Sequence, residues 1–283
     1  SSLVGSEMCI RDRYLVSTDW LIGNLSHVKI IDASWHLPST NRDGFEEYKI
    51  EHIENSIFFD LDEFSEKNTD LPHMLSDAKT WAKNISKLGI ENEDKIIIYD
   101  NSDVLSACRC WYNFIYYGHN PKNVSVLDGG LGKWKKEKKP TSKEKVNFKE
   151  TKYEAVENRN MVKNKSEIDL NIKTNEFLVL DARSEERFFG KVSDPRKNVR
   201  SGSIPNSHCL PFTNIIRSDK TFKNIEEIKQ IFDQINPDNN KLLVFSCGSG
   251  VSACILALAY SLVDNKYVPT IYDGSWAEYG KIE

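Results

Sequence analysis

Residues 241–254 read KLLVFSCGSGVSAC. Leu242-Leu243-Val244-Phe245 is a continuous apolar run, the pattern of a strand buried on both faces. Ser246-Cys247-Gly248-Ser249-Gly250-Val251-Ser252 follows, and an apolar helix begins near Ala253. The same strand–loop–helix pattern occurs earlier as KIIIYDNSDVLSAC at residues 95–108, where Ser106-Ala107-Cys108 lies 146 residues before Ser252-Ala253-Cys254. Two more echoes flank it. IIDASW, carrying Asp32, matches LVLDARS, carrying Asp181, at a separation of 149; VSVLDGGLGKW, carrying Asp128, matches VPTIYDGSWAEY, carrying Asp273, at 145. Three matches in one order at nearly one offset indicate a duplicated domain rather than an array of short repeats.

Each copy alternates strand and helix signals. Strands are expected over 28–32, 95–99 and 124–127 in the first copy, and over 177–180, 242–245 and 268–271 in the second. A helix is expected over 76–88, with Ser76 as N-cap and Gly89 as its stop, and others near 225–235 and 252–262. Alternation of this kind implies an α/β fold with, in each domain, a parallel sheet flanked by helices on both faces. Ligands of such sheets bind at the carboxyl ends of the strands. The expected division is a non-native, adapter-like leader at 1–13, an N-terminal domain at 14–136, a linker at 137–160 and a C-terminal domain at 161–283. Pro140 and the lysine-rich run from Lys133 mark the linker, read as a solvated helix end running into loop.

The chain has 42 acidic against 38 basic residues, net −4, and no apolar run approaching the roughly 20 residues of a membrane span. A field of that sign does not attract nucleic acid or an anionic membrane, so neither is an expected partner. Six cysteines in 283 residues are too sparse for a disulfide scaffold. They point to a reduced, cytoplasmic protein.

Cys247 stands where the chemistry is expected. It ends a strand, enters a loop with two glycines and precedes a helix N-terminus. Inward-facing amides and the positive helix end favour an anion there, whether thiolate, persulfide or oxyanion. Cys108, Cys110 and Cys254 fall on apolar helices and Cys209 in an apolar loop, where packing is the simpler role. In the first copy Asp100 takes the place of Cys247, and Ser102 and Val104 replace the glycines, so that copy is expected to be inactive. A cysteine phosphatase would need an Arg six residues after its Cys; here that position is Ala253. No Cys/His group has zinc-ligand spacing.

The loop from Cys247 to Ala253 resembles the active-site loop of the 3-mercaptopyruvate sulfurtransferases, two-domain relatives of rhodanese with an active C-terminal domain. The segments DASWHLP, FFDLD, HML, LDGGL, DARSEERFFG, LPF and YDGSW extend the resemblance over about 14–283. Ser252 departs from the usual Thr, and Ser203 from a usual His. The resemblance implies two tandem rhodanese-like domains and a sulfurtransferase that carries sulfur as a persulfide on Cys247. It implies that Arg187 and Arg196 bind the substrate carboxylate, with Gly248, Gly250, Val251 and Ser252 completing the substrate loop. It further implies a proton relay of Ser249 with His73 and Asp62, the last two supplied by the first domain. Arg183 is read as structural. No metal or organic cofactor is implied. The donor the resemblance implies is a small molecule, 3-mercaptopyruvate, and the acceptor thioredoxin, another thiol or cyanide. Thiosulfate is the alternative donor, weakened by a loop that is neutral at Gly248 and Ser249. A non-catalytic rhodanese-like binding module is the rival of another class, and Cys247 argues against it.

Overall fold

The computed structural model describes residues 14–282, so the leader expected at 1–13 lies outside the described residues. The chain forms two compact units that are not simple halves. One contains the residues up to Phe64, Ser76–Asn158 and Ser218–Thr221; the other contains Ser65–Leu75, Arg159–Arg217 and the chain from Phe222 onward.

Each unit is built on a five-stranded parallel sheet. The first runs, in spatial order, Leu15–Val16, Val124–Leu127, Ile96–Tyr99, Lys29–Asp32 and Ser56–Phe58. The second runs Val162–Lys163, Ile271–Tyr272, Leu242–Ser246, Phe177–Asp181 and His208–Cys209. Numbered along the chain, both orders are 1-5-4-2-3, so the sequence duplication is a duplication of topology. The central strands are apolar throughout because both faces are covered. Ile96, Ile97 and Ile98 are fully buried, as are Val244 and Phe245, and the helix Ala253–Val263 is buried from Ala253 to Leu262. Each such large apolar side chain contributes roughly 1.5–3 kcal/mol over its exposed state.

The α/β reading holds, and two local expectations shift. The helix expected over 76–88 is Ala78–Lys87, capped by Asp77, whose carboxylate accepts from the Thr80 amide, rather than by Ser76. The strand expected over 268–271 is Ile271–Tyr272. Pro269 has no amide to give a ladder, and the Thr270 amide donates instead to the Tyr267 hydroxyl at 2.9 Å. Helix Ile225–Ile235 matches its expected span, fixed by a capping box between Asn224 and Glu227. Part of the stretch expected as linker packs on the first unit: Thr141–Ser142 pairs with His52–Ile53, and the Val156 and Asn158 amides donate to the Tyr117 and Tyr116 carbonyls.

Candidate active site

The second sheet delivers Cys247 directly from strand Leu242–Ser246, beside strand Phe177–Asp181 with Ser246 opposite Asp181. Cys247 is 2% exposed. Its backbone is fixed on both sides. Its amide donates to Ser275 Oγ at 3.1 Å, its carbonyl accepts from the Trp276 amide at 3.0 Å, and the Gly248 carbonyl accepts from the Ala277 amide at 2.9 Å. The short helix Ser275–Tyr279 therefore holds the loop's first two carbonyls away from its interior. Further on, Gly250 takes φ +76°, the left-handed conformation that favours glycine, and its carbonyl accepts from Cys254 Sγ at 3.2 Å. With these carbonyls engaged, the Gly248, Ser249 and Val251 amides have no acceptor among the described residues. This gives the loop the character of an anion-binding nest.

Gly248 is a glycine for a reason the loop's backbone does not reveal. Its φ is not positive, but a Cβ there would lie 3.1 Å from Arg196 Nη2 and 3.4 Å from Arg187 Nη2. Two guanidinium groups thus crowd the residue after Cys247. They are organised by Asp194, which sequence reasoning missed. Its Oδ2 accepts from Arg187 Nη2 at 2.9 Å, and its Oδ1 from the Arg196 amide at 3.0 Å and Arg196 Nη1 at 3.2 Å. The carboxylate is 2% exposed, the arginine side chains 27% and 28%. Burial acts to raise the Asp194 carboxyl, but the Arg196 amide, the Arg187 hydrogen bond and the two positive charges hold it below its ordinary value. Arg187 Nε is buried with no partner among the described residues, a donor left for a ligand. Arg183 is otherwise engaged. It makes a buried ion pair with Asp181 at 2.7 Å, donates to the Gly202 carbonyl at 2.9 Å and stacks over Trp276.

His73 belongs to the second unit, not to the first domain as expected. Its Nδ1 lies 3.0 Å from Ser249 Oγ, and both side chains are buried. Residues 65–75 carry it there, closed by a bridge between Ser65 and Leu75 and tied to the second sheet by the Leu75 amide, which donates to Asp273 Oδ2 at 2.9 Å. His73 has φ +61°, a conformation His adopts at a cost. Asp62 lies in the first unit, where it accepts from Trp35 Nε1 at 3.1 Å. The second unit itself brings together Cys247, Ser249, His73, Arg187 and Arg196, with Gly250, Val251 and Ser252 completing the loop.

The first unit shows what the loop became in the duplicate. The Asp100 carbonyl accepts from the Leu131 amide at 2.9 Å, the counterpart of the Cys247–Trp276 bond. The Asp100 carboxylate itself takes the amides of Ser102 at 3.0 Å and Ala107 at 2.7 Å, filling its own loop with a built-in anion.

A rhodanese-like domain family matches residues 17–137 and 164–281. The chain is 38% identical to thiosulfate/3-mercaptopyruvate sulfurtransferase 1, mitochondrial, of Arabidopsis thaliana, over 94% of this chain and 75% of that one. It is 36% identical to the 3-mercaptopyruvate sulfurtransferase of Mus musculus, over 94% and 92%. The crystal structure of SseA from Escherichia coli, a 3-mercaptopyruvate sulfotransferase, superposes with a TM-score of 0.83 at 31% identity, covering 93% of this chain and 98% of that one. The duplicated sheet, the cysteine loop and these likenesses agree: the chain belongs to the rhodanese family, among its two-domain sulfurtransferases.

Proposed function

We propose that this sulfurtransferase takes sulfur from 3-mercaptopyruvate through a persulfide on Cys247. The observation that carries the reading is the convergence, on one fixed loop, of a buried cysteine, a Ser249–His73 pair and two arginines. In the proposed step the Cys247 thiolate attacks the donor sulfur, the carbon–sulfur bond breaks and its electron pair leaves with the pyruvate enolate. The proton that rode on the donor sulfur passes by Ser249 and His73 to the enolate carbon, giving pyruvate and a Cys247 persulfide anion. The loop amides stabilise that anion, and Arg187 and Arg196 hold the donor carboxylate. An acceptor thiol, such as thioredoxin, or cyanide then takes the outer sulfur and returns the thiolate. Asp62 is proposed to support His73 in the relay. The proposed compartment is the cytoplasm or another reducing space, supported by six cysteines in 283 residues, too sparse for a disulfide scaffold.

The test is intact-mass spectrometry after donor treatment, with pyruvate measured in parallel. Wild type should gain one sulfur and release pyruvate. Cys247→Ser should do neither, because a serine hydroxyl is not appreciably ionised at neutral pH and cannot carry a persulfide. Sulfur on Cys209 or Cys254, with turnover kept in the variant, overturns the assignment.

A further inference from the structure

We infer that Asp194 is a specificity-determining residue: it holds the Arg187–Arg196 pair at a net charge of about one, so that a monoanionic sulfur donor is favoured over a dianionic one. The inference rests on the reading of the two arginines as the donor clamp. It starts from how the carboxylate is shared. One oxygen goes to Arg187, the other to the amide and the guanidinium of Arg196. Asp194 therefore does two things at once. It sets the spacing of the two forks beside Gly248, and it cancels one of their two positive charges in a place where its own side chain is 2% exposed. Arg183 does not enter the count, since Asp181 neutralises it in a separate buried pair. The other charges of the segment, Glu185, Glu186, Lys191 and Lys197, are exposed, and solvent screens them.

A 3-mercaptopyruvate carboxylate brings one negative charge to this cluster; thiosulfate brings two. With Asp194 present, the first donor neutralises the site and the second leaves an excess negative charge beside a buried carboxylate. A clamp of two uncompensated guanidinium groups would reverse that preference. Charge balance at a partly desolvated site is a stronger discriminator than any single surface ion pair, because the low local dielectric lengthens the reach of each charge.

The experiment measures kcat/KM for thiosulfate and for 3-mercaptopyruvate, with cyanide as common acceptor, in wild type, Asp194→Asn, Arg196→Gln, the double variant and Asp194→Glu. If charge sets the choice, the thiosulfate-to-mercaptopyruvate ratio follows the net charge of the cluster. It rises about tenfold or more in Asp194→Asn, falls by a similar factor in Arg196→Gln and returns to within about threefold of wild type in the double variant, tenfold corresponding to about 1.4 kcal/mol. Asp194→Glu keeps the charge and should keep the ratio even where displaced forks lower both constants. A purely structural Asp194 would instead lower both donors together and leave the ratio flat across the series, which overturns the inference. Should Asp194→Asn fail to fold, Arg196→Gln and Asp194→Glu still decide: an unchanged ratio in the first, or a tenfold change in the second, overturns it. Wild type that uses neither donor overturns the proposed function itself, a result distinct from an active wild type whose ratio ignores charge.

Discussion

Gly248 joins the Cys247 loop to the two arginines of the proposed donor clamp. Its replacement by Ala would not strain the backbone, because its φ is not positive; the added methyl would press on guanidinium ends that can yield by a few tenths of an ångström. The expected outcome of Gly248→Ala is a donor KM raised by about tenfold or less with kcat nearly kept, the mark of lost uniform binding, and a melting temperature little changed. Steady-state kinetics beside a thermal melt check it; a large fall in kcat with KM untouched would mean that the loop amides, not the arginines, feel the methyl. The place of Cys247 between strand and helix was legible in the sequence because its signal is local: strand, glycines and helix within a dozen residues. Asp194 was not. Its meaning lies in two arginines that fold back to it, and an Asp before a Pro reads from sequence as an ordinary turn residue.

Among elements, the 65–75 segment departs most from the sequence reading. Strand and helix positions came through because apolar runs and caps are local signals, as with Asn224 and the helix after it. Where a segment docks is decided by tertiary contacts, and nothing in HML at 73–75 announces that it closes on the second sheet. The left-handed His73 offers a test of what holds it there. A left-handed conformation costs a non-glycine residue about 1–2 kcal/mol, and Asn accepts it more readily. His73→Asn should therefore keep or slightly raise stability while lowering turnover on 3-mercaptopyruvate by about a hundredfold or more, the scale of general acid–base assistance. Chemical denaturation and pyruvate release together check this. Lost stability with turnover retained would make His73 a fastener of the segment and not a proton carrier.

The molecule as a whole carries two buried carboxyls that repay acidification. Burial raises Asp32 from 3.8 to about 6, aided by the charge of Asp100; burial raises Asp100 to about 6 as well, against the pull of the Ala107 and Ser102 amides. In the unfolded chain both titrate near ordinary values. Between about pH 4 and 6 the folded protein thus binds more protons than the unfolded one, so this contribution to stability grows as pH falls through 6 and is fully present below about 4. It is at most on the order of 3 kcal/mol for each group. Asp194 and the other carboxyls held low by partners act in the opposite sense at lower pH. Asp100→Asn should flatten the difference in unfolding free energy between pH 7 and pH 5 relative to wild type; urea titrations at the two pH values that give the same difference for both proteins would show that Asp100 is ionised throughout. The duplication that frames these residues was readable from three echoes at one offset. The exchange of short segments between the two units was not, because each segment is too brief to carry a periodic signal.

That exchange has a consequence for how the chain is made. His73 and Ser249 stand 176 residues apart. At the roughly 5–20 residues per second of synthesis, His73 is made about 9–35 s before its serine exists. The first unit can condense in that interval, but residues 65–75 have no sheet to close on until Asp273 has been translated, nearly two hundred residues after Leu75. For that time they form an open loop between two folded stretches, Phe64 and Ser76, offered to proteases and chaperones. Formation of the His73–Ser249 contact is thus the last act of biogenesis, and a nascent chain arrested before Asp273 should be cut within 65–75 where the finished protein is not.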